Sequence, residues 1–310
     1  MNEIFRYIRN YVVSLNPIVF LLCSIQTALL VFLNFHNGLE QKLTQLKTLP
    51  WPGFTGHYLF FFPAFALPYL YETLIGKKTF FRNKTFILLL FIAPAIFSLK
   101  MSMHTDLDFS ADPLWNRYWN QVYYWPVRLL IVGSFLLLVW WWFDRDQPFY
   151  GLSVRNSILK KSSFNWKPYI LMLLIMMPLI AAASTQHDFL RTYPKLYSVL
   201  PGRHQDFSFF KKLLFEFSYG TDFITIEVFF RGFLILAFLK WVGKDAILPM
   251  ACFYCTIHFG KPLGECISSY FGGILLGIVV YNTRTIYGGL MVHLGIAWMM
   301  EFGGYLGRWG

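Results

Sequence analysis

Four side chains in the last third of this 310-residue chain belong to types that move protons, and they stand where such types are costly. Glu227 and Arg231 lie inside the run Asp222 to Val242, DFITIEVFFRGFLILAFLKWV, and two later apolar runs carry one histidine each, His258 and His293. A carboxylate or guanidinium at mid-bilayer costs roughly 2.5 to 3.5 kcal/mol on insertion scales, so an ionisable group there calls for a reason. On an α-helix, residues four apart share a face, so Glu227 and Arg231 are expected to neutralise each other as one polar spot facing the bundle. Glu265, which opens the apolar run after His258, is a fifth candidate.

The chemistry such a set permits is proton transfer. Desolvation raises a carboxyl pKa while a paired arginine lowers it, so the balance sets the state of Glu227. Histidine titrates near neutrality and serves as acid, base or donor to an oxyanion. A glutamate that activates water, with histidines that stabilise the tetrahedral intermediate, constitutes a peptidase. No serine or cysteine is evidently paired with a base, so no covalent intermediate is expected. Two histidines and a carboxylate are also a catalytic zinc set. A metal-free, cofactor-free site ranks above it because the chain has no HExxH helix. Taken singly, each residue is more simply a packed, hydrogen-bonded group; taken together in successive apolar runs, they favour a site.

The elements that must position these residues are membrane helices. The chain is 56% hydrophobic, 20% aromatic and only 14% charged, whereas soluble domains average about 25% charged. This composition predicts an all-α, polytopic transmembrane helix bundle. Its net charge of +11 is gathered in short clusters such as Lys77, Lys78, Arg82 and Lys84. Such clusters read as juxtamembrane charge against anionic lipid, so lipid is an expected partner and nucleic acid is not.

A span takes about 20 apolar residues. The expected spans run near 12 to 35, 58 to 76, 85 to 100, 122 to 143, 168 to 184, 222 to 242, 246 to 259, 264 to 281 and 286 to 304. The third and seventh are short, so the count is eight to nine. The first is read as retained, since it is longer than a signal h-region and no small-residue cleavage site follows. Residues 1–184 form the N-terminal spans, 185–221 a polar, interfacial segment, and 222–310 the C-terminal core that carries the chemistry.

The basic loops set the orientation. The N-terminus with Arg6 and Arg9 is expected in the cytoplasm, as are Arg155, Lys160, Lys161, Lys167, Lys240 and Lys244, with Asp106, Asp108 and Asp112 outside. The segment 185–221 resists this scheme with Arg191, Lys195, Arg203, Lys211 and Lys212; its second half, Phe207 to Phe217, reads as an amphipathic interfacial helix. Arg128 reads as a snorkelling anchor and Trp140, Trp141 and Trp142 as an interfacial belt. Cys23, Cys252, Cys255 and Cys266 fall in apolar runs and read as packing residues. Ser269, Gly273 and Gly277 recur every four residues, a pattern that lets two helices approach closely. In this topology Glu227 sits roughly 8 Å below the outer membrane face, and the four candidates can meet in one cavity.

The order of these residues resembles the CAAX prenyl protease and bacteriocin-processing family, also called Abi. Its first motif, EExxxR followed by Gly, corresponds to IEVFFRG at Ile226 to Gly232; its second, FxxxH, to Tyr254 through His258 beside Phe253; its third, His with Asn four residues on, to His293 with Ala297. The resemblance covers about residues 222 to 300. It implies an intramembrane endopeptidase that cuts a membrane-associated peptide or protein, in a bacterial plasma membrane. Glu227, His258 and His293 would be catalytic, with Arg231, Glu265 and Tyr254 supporting. Ile226 replaces the glutamate that in the family activates water, and Ala297 replaces the asparagine that helps hold the oxyanion. The alternative is therefore a pseudoprotease that binds a membrane partner and turns nothing over. Substrate identity and oligomeric state are not legible in the sequence.

Overall fold

The computed structural model describes residues 2–45, 50–103, 106–152, 165–199 and 208–308. Arg155, Lys160, Lys161, Arg203 and Phe207, used in the orientation and interface readings, lie outside the described residues. Every regular element among the described residues is helical, so the chain is an all-helical membrane protein, as its composition requires.

The N-terminus differs in detail from the expectation. Residues Asn2–Val13 form a separate helix, α1, whose Ile4 and Tyr11 are buried while Phe5 and Val13 are exposed. The first apolar helix, α2, is Pro17–Asn37 and begins where the local chemistry dictates. The Asn16 side chain accepts from the Ile18 and Val19 N–H groups, Pro17 occupies the first turn, and Gly38 closes the helix at φ 61°.

Helix α3 (Leu39–Gln45) follows, then α4 (Pro50–Leu74), α5 (Lys84–Ser102), α6 (Pro113–Phe143), α7 (Lys167–Ala183), α8 (His187–Thr192) and α9 (Lys195–Val199). The remainder comprises α10 (Phe209–Ile226), a π-helix (Glu227–Ala237), α11 (Leu239–Val242), α12 (Ile247–Thr256), α13 (Leu263–Thr283) and α14 (Tyr287–Leu306). Each of the nine apolar runs falls on helix. By length and composition, α2, α5, α6 and α13 can cross a membrane, and α7 is a shorter apolar helix.

The chain forms two compact units. The described residues of Met1–His104, Phe135–Ser163 and Val228–Ile286 make the first; those of Thr105–Ser134, Phe164–Glu227 and Tyr287–Gly310 make the second. In the first unit α12 packs against α2, α4 and α13. All four cysteines are free and share one apolar cluster there with Val19, Leu248 and Tyr270. Beside it, Phe97 meets Phe229, Phe230 and Phe253 at centroid distances of 4.9, 5.0 and 5.9 Å. In the second unit α14 packs against α7 and α10, around a cluster of Tyr118, Trp125, Phe215, Tyr219, Phe223 and Ala297. The described part of the interfacial segment 185–221 comprises α8, α9 and the start of α10, which is capped by Ser208 and leaves Phe209, Phe210 and Phe217 exposed.

The small-residue stripe on α13 does what its spacing implies. A Cβ on Gly273 would stand 3.2 Å from the Tyr254 ring and 3.4 Å from the Ala251 Cα. One on Gly277 would stand 2.8 Å from Met250, 3.2 Å from Ile247 and 3.3 Å from Ile235. Gly277→Val should therefore lower stability by about 1–3 kcal/mol through overpacking. Thermal unfolding in detergent micelles reads this directly, and an unchanged midpoint would show that α12 and α13 are not in close contact.

Candidate functional site

In the second unit the central fact is one hydrogen bond. Glu227 is fully buried, and its Oε1 lies 2.9 Å from Nδ1 of His293, whose side chain is 12% exposed. An ionised carboxylate can only accept, so Nδ1 carries the proton and, in the neutral ring, Nε2 carries the lone pair. Phe223, one turn before Glu227, sets its ring edge-on against His293 at 4.8 Å and holds the imidazole plane. The approach of α10 to α14 passes through Gly220, where a Cβ would already sit 3.5 Å from Leu294 and 3.6 Å from Trp298. A carboxylate that fixes the tautomer of a histidine and stabilises its protonated form is the orienting half of an acid–base dyad.

The first unit holds a second polar group. Arg231 is fully buried, with its guanidinium carbon 3.9 Å from the Tyr254 ring centroid, and a desolvated cation–π contact of this kind contributes about 2 kcal/mol. The same tyrosine ring meets His258 at 4.7 Å and Phe230 at 5.2 Å. His258 Nδ1 lies 3.0 Å from the Tyr254 carbonyl oxygen, one helical turn back. The carbonyl is an acceptor only, so His258 also holds its proton on Nδ1 and presents Nε2 as the chemical nitrogen. Gly232 follows Arg231 for a steric reason: a Cβ there would stand 2.6 Å from the Tyr150 carbonyl oxygen. Glu265 is ion-paired to Lys261 at 3.4 Å.

The structure thus brings Glu227 to His293, groups Arg231, Tyr254 and His258, and places Glu265 beside Lys261. The sequence argument linked Glu227 to Arg231 through α-helical spacing. The backbone from Glu227 to Ala237 is a π-helix, whose bonds run i to i+5, where an α-helix was expected. Ile226 is 8% exposed and Ala297 4%, so the two apolar replacements are built into the interior. Among the described residues no group of three His, Cys, Asp or Glu side chains is placed to hold a metal.

Two buried carboxylates escaped the sequence reading. Glu301, 2% exposed on α14, accepts from the Lys195 N–H at 2.8 Å and so caps α9; Glu72, 5% exposed, closes α4. The signal that found Glu227, an ionisable residue inside an apolar run, was present at both.

The fold is that of a helical membrane protein, and its second unit holds a buried Glu–His pair. Residues 213–299 match the family model described as Type II CAAX prenyl endopeptidase Rce1-like. That segment contains Glu227, Arg231, Tyr254, His258, Glu265 and His293, and it agrees with the resemblance read from the three motifs. No curated protein and no solved structure matches the chain.

A double-mutant cycle of Glu227→Leu and His293→Phe should give a coupling energy of about 0.5–3 kcal/mol, the range for residues in direct contact. Unfolding of the four proteins in mixed micelles supplies it, and additive losses would mean that the two side chains do not interact.

Proposed function

We propose that the chain is a CAAX-protease-like intramembrane endopeptidase that hydrolyses a peptide bond of a membrane-associated substrate. The observation that carries this reading is the 2.9 Å bond from His293 to the buried Glu227, within the segment that matches the endopeptidase family. With Nδ1–H committed to Glu227, His293 Nε2 accepts a proton from water as the water oxygen bonds to the scissile carbonyl carbon. The carbonyl π electrons move to its oxygen. Collapse of the tetrahedral species reforms the C=O bond, breaks the C–N bond and returns the proton to the leaving nitrogen. Glu227 thereby acts through the imidazole, a role available to it although Ile226 supplies no carboxylate. We keep His258 among the catalytic residues on the strength of its place in the family's second motif; with Nδ1–H on the Tyr254 carbonyl its Nε2 is an acceptor and donates only when the ring is doubly protonated, and Arg231, Tyr254 and Glu265 are its supporting residues. No cofactor is included in this reading, and lipid and the substrate are the partners.

A second reading has its own support: Ala297 is packed among Tyr118, Phe215 and Phe223 and offers no donor, which suits a protein that binds a peptide without cutting it. The two readings separate on mass spectrometry of a membrane-peptide library incubated with the purified chain in proteoliposomes. Cleavage by the parent chain, reduced about 10²- to 10³-fold in Glu227→Gln and His293→Ala, is the expected result. Identical spectra for parent and variants would leave the binding reading in place.

We also place the protein in a bacterial plasma membrane with its N-terminus cytoplasmic, supported by the basic cluster Lys77, Lys78, Arg82 and Lys84 against the acidic Asp106, Asp108 and Asp112. An alkaline phosphatase fusion after Leu107 should be active and one after Lys78 inactive; the reverse pattern would invert the orientation.

A further inference from the structure

The turn that carries His258 is gripped by the N-terminal part of the chain. Between α12 and α13 the chain turns through Ile257 to Pro262, with the Lys261 N–H bonded to the His258 carbonyl at 3.0 Å. The Phe259 carbonyl accepts a hydrogen bond of 3.1 Å from Nδ2 of Asn34, a residue of α2 distant by 225 positions. Asn34 is 3% exposed, a buried amide in a largely apolar helix. Its Oδ1 in turn accepts from the Glu40 N–H at 2.9 Å, across the turn made by Gly38 at φ 61°. The Glu40 carboxyl then lies against the same turn: a Cβ on Gly260 would stand 3.1 to 3.3 Å from its carboxyl atoms. Burying an amide costs about 1–3 kcal/mol unless it is hydrogen-bonded, and here both ends of one amide are used, the nitrogen on the turn that holds a histidine and the oxygen on the Glu40 N–H.

We propose that Asn34 is a positioning residue for His258, its amide fixing the Phe259 carbonyl while Glu40, ordered by the same amide, backs Gly260. The backbone of residues 257–260 sets the height and aim of the imidazole, whose Nδ1–H bond to the Tyr254 carbonyl fixes rotation alone. Asn34 and Glu40 lie outside the family's three motifs and outside the matched segment, 213–299, which contains only the Phe259 and Gly260 side of the clamp. The inference rests on His258 acting in the reaction proposed above. A catalytic group displaced by about 1 Å costs on the order of 10²-fold in rate.

The test compares Asn34→Leu with Gln26→Leu, each purified full-length in micelles. Gln26 is the matched control: it is a second buried amide on α2, but its bond of 3.1 Å goes to the Pro63 carbonyl on α4 and not to the His258 turn. Nitrogen-15 NMR of labelled histidine reads the His258 tautomer without substrate. The parent and Gln26→Leu should show His258 protonated at Nδ1, and Asn34→Leu should show the two tautomers averaged. An unchanged His258 signal in Asn34→Leu overturns the proposal, as does an equal change in both variants. Should Asn34→Leu fail to fold, Gly260→Ala, which presses on Glu40 from within the turn, carries the same comparison. On the peptide library in proteoliposomes, Asn34→Leu should lose about 10- to 100-fold in kcat with KM little altered. An NMR effect with no cleavage by any protein supports the clamp while sinking the protease reading; cleavage by Asn34→Leu at the parental rate overturns the clamp alone.

Discussion

A carboxylate taken out of water must be held by something, and the bond between Glu227 and His293 is the interaction on which the rest of the second unit depends. Glu227 has no exposed surface, and a buried carboxyl left without a hydrogen-bond donor costs about 1–3 kcal/mol or more. The donor is supplied from a helix 66 residues further on. The two helices meet at Gly220, where a Cβ would make ordinary van der Waals contact with Leu294 and Trp298, and the edge of Phe223 lies against the imidazole. Packing here serves electrostatics: the aromatic cluster around Phe215, Tyr219 and Phe223 supplies the dry surroundings in which a charge-assisted bond is strong.

The first unit solves the same problem with different chemistry. Arg231 is as buried as Glu227, and the face of Tyr254 stabilises its charge. Tyr254 is also the residue whose carbonyl sets the tautomer of His258, so one side chain position couples a cation, an aromatic ring and an imidazole. Gly273 leaves the room that this ring needs. Both histidines therefore end with the same nitrogen protonated and the same nitrogen presented, by unrelated acceptors. That convergence is a property of the acceptor types, a carboxylate and a carbonyl, neither of which can donate.

Much of this was legible in the sequence, for reasons that also mark where legibility stops. Hydropathy runs give helices because a bilayer tolerates no unsatisfied backbone, and every apolar run is indeed helical. The stripe Ser269, Gly273, Gly277 announced a close helix contact because a missing Cβ has only that use in a helix interior. Glu227 and Arg231 were conspicuous as charges among apolar residues. The His293 partner of Glu227 was not, because pairing across 66 residues depends on how helices pack, and neither was the π-helical winding from Glu227 to Ala237. Nothing local in VFFRGFLILA departs from ordinary helix formers, so that change of winding is invisible to pattern. The separate helix α1 was hidden by the apolar tail Tyr11 to Val13, which blends into the run that follows until Asn16 and Pro17 are read as a cap.

The balance between a chemical and a merely structural role turns on positions 226, 227, 293 and 297, all in the second unit. Ile226 and Ala297 are apolar and buried, contributing by area alone. Glu227 and His293 are buried at a cost that their mutual bond only offsets, and replacing such a pair by apolar residues of similar volume is often neutral or stabilising by 1–4 kcal/mol. Stability therefore gives little reason for a glutamate and a histidine where neighbouring positions show that apolar side chains fit. Under the protease reading proposed above, a dyad that fixes a tautomer and accepts a proton gives a reason that burial does not, and it needs neither the carboxylate missing at 226 nor the amide missing at 297 to move that proton. What it lacks is a donor for the oxyanion on its own helix, and it is there, at rate and not at proton transfer, that the absence of a donor at Ala297 should be felt.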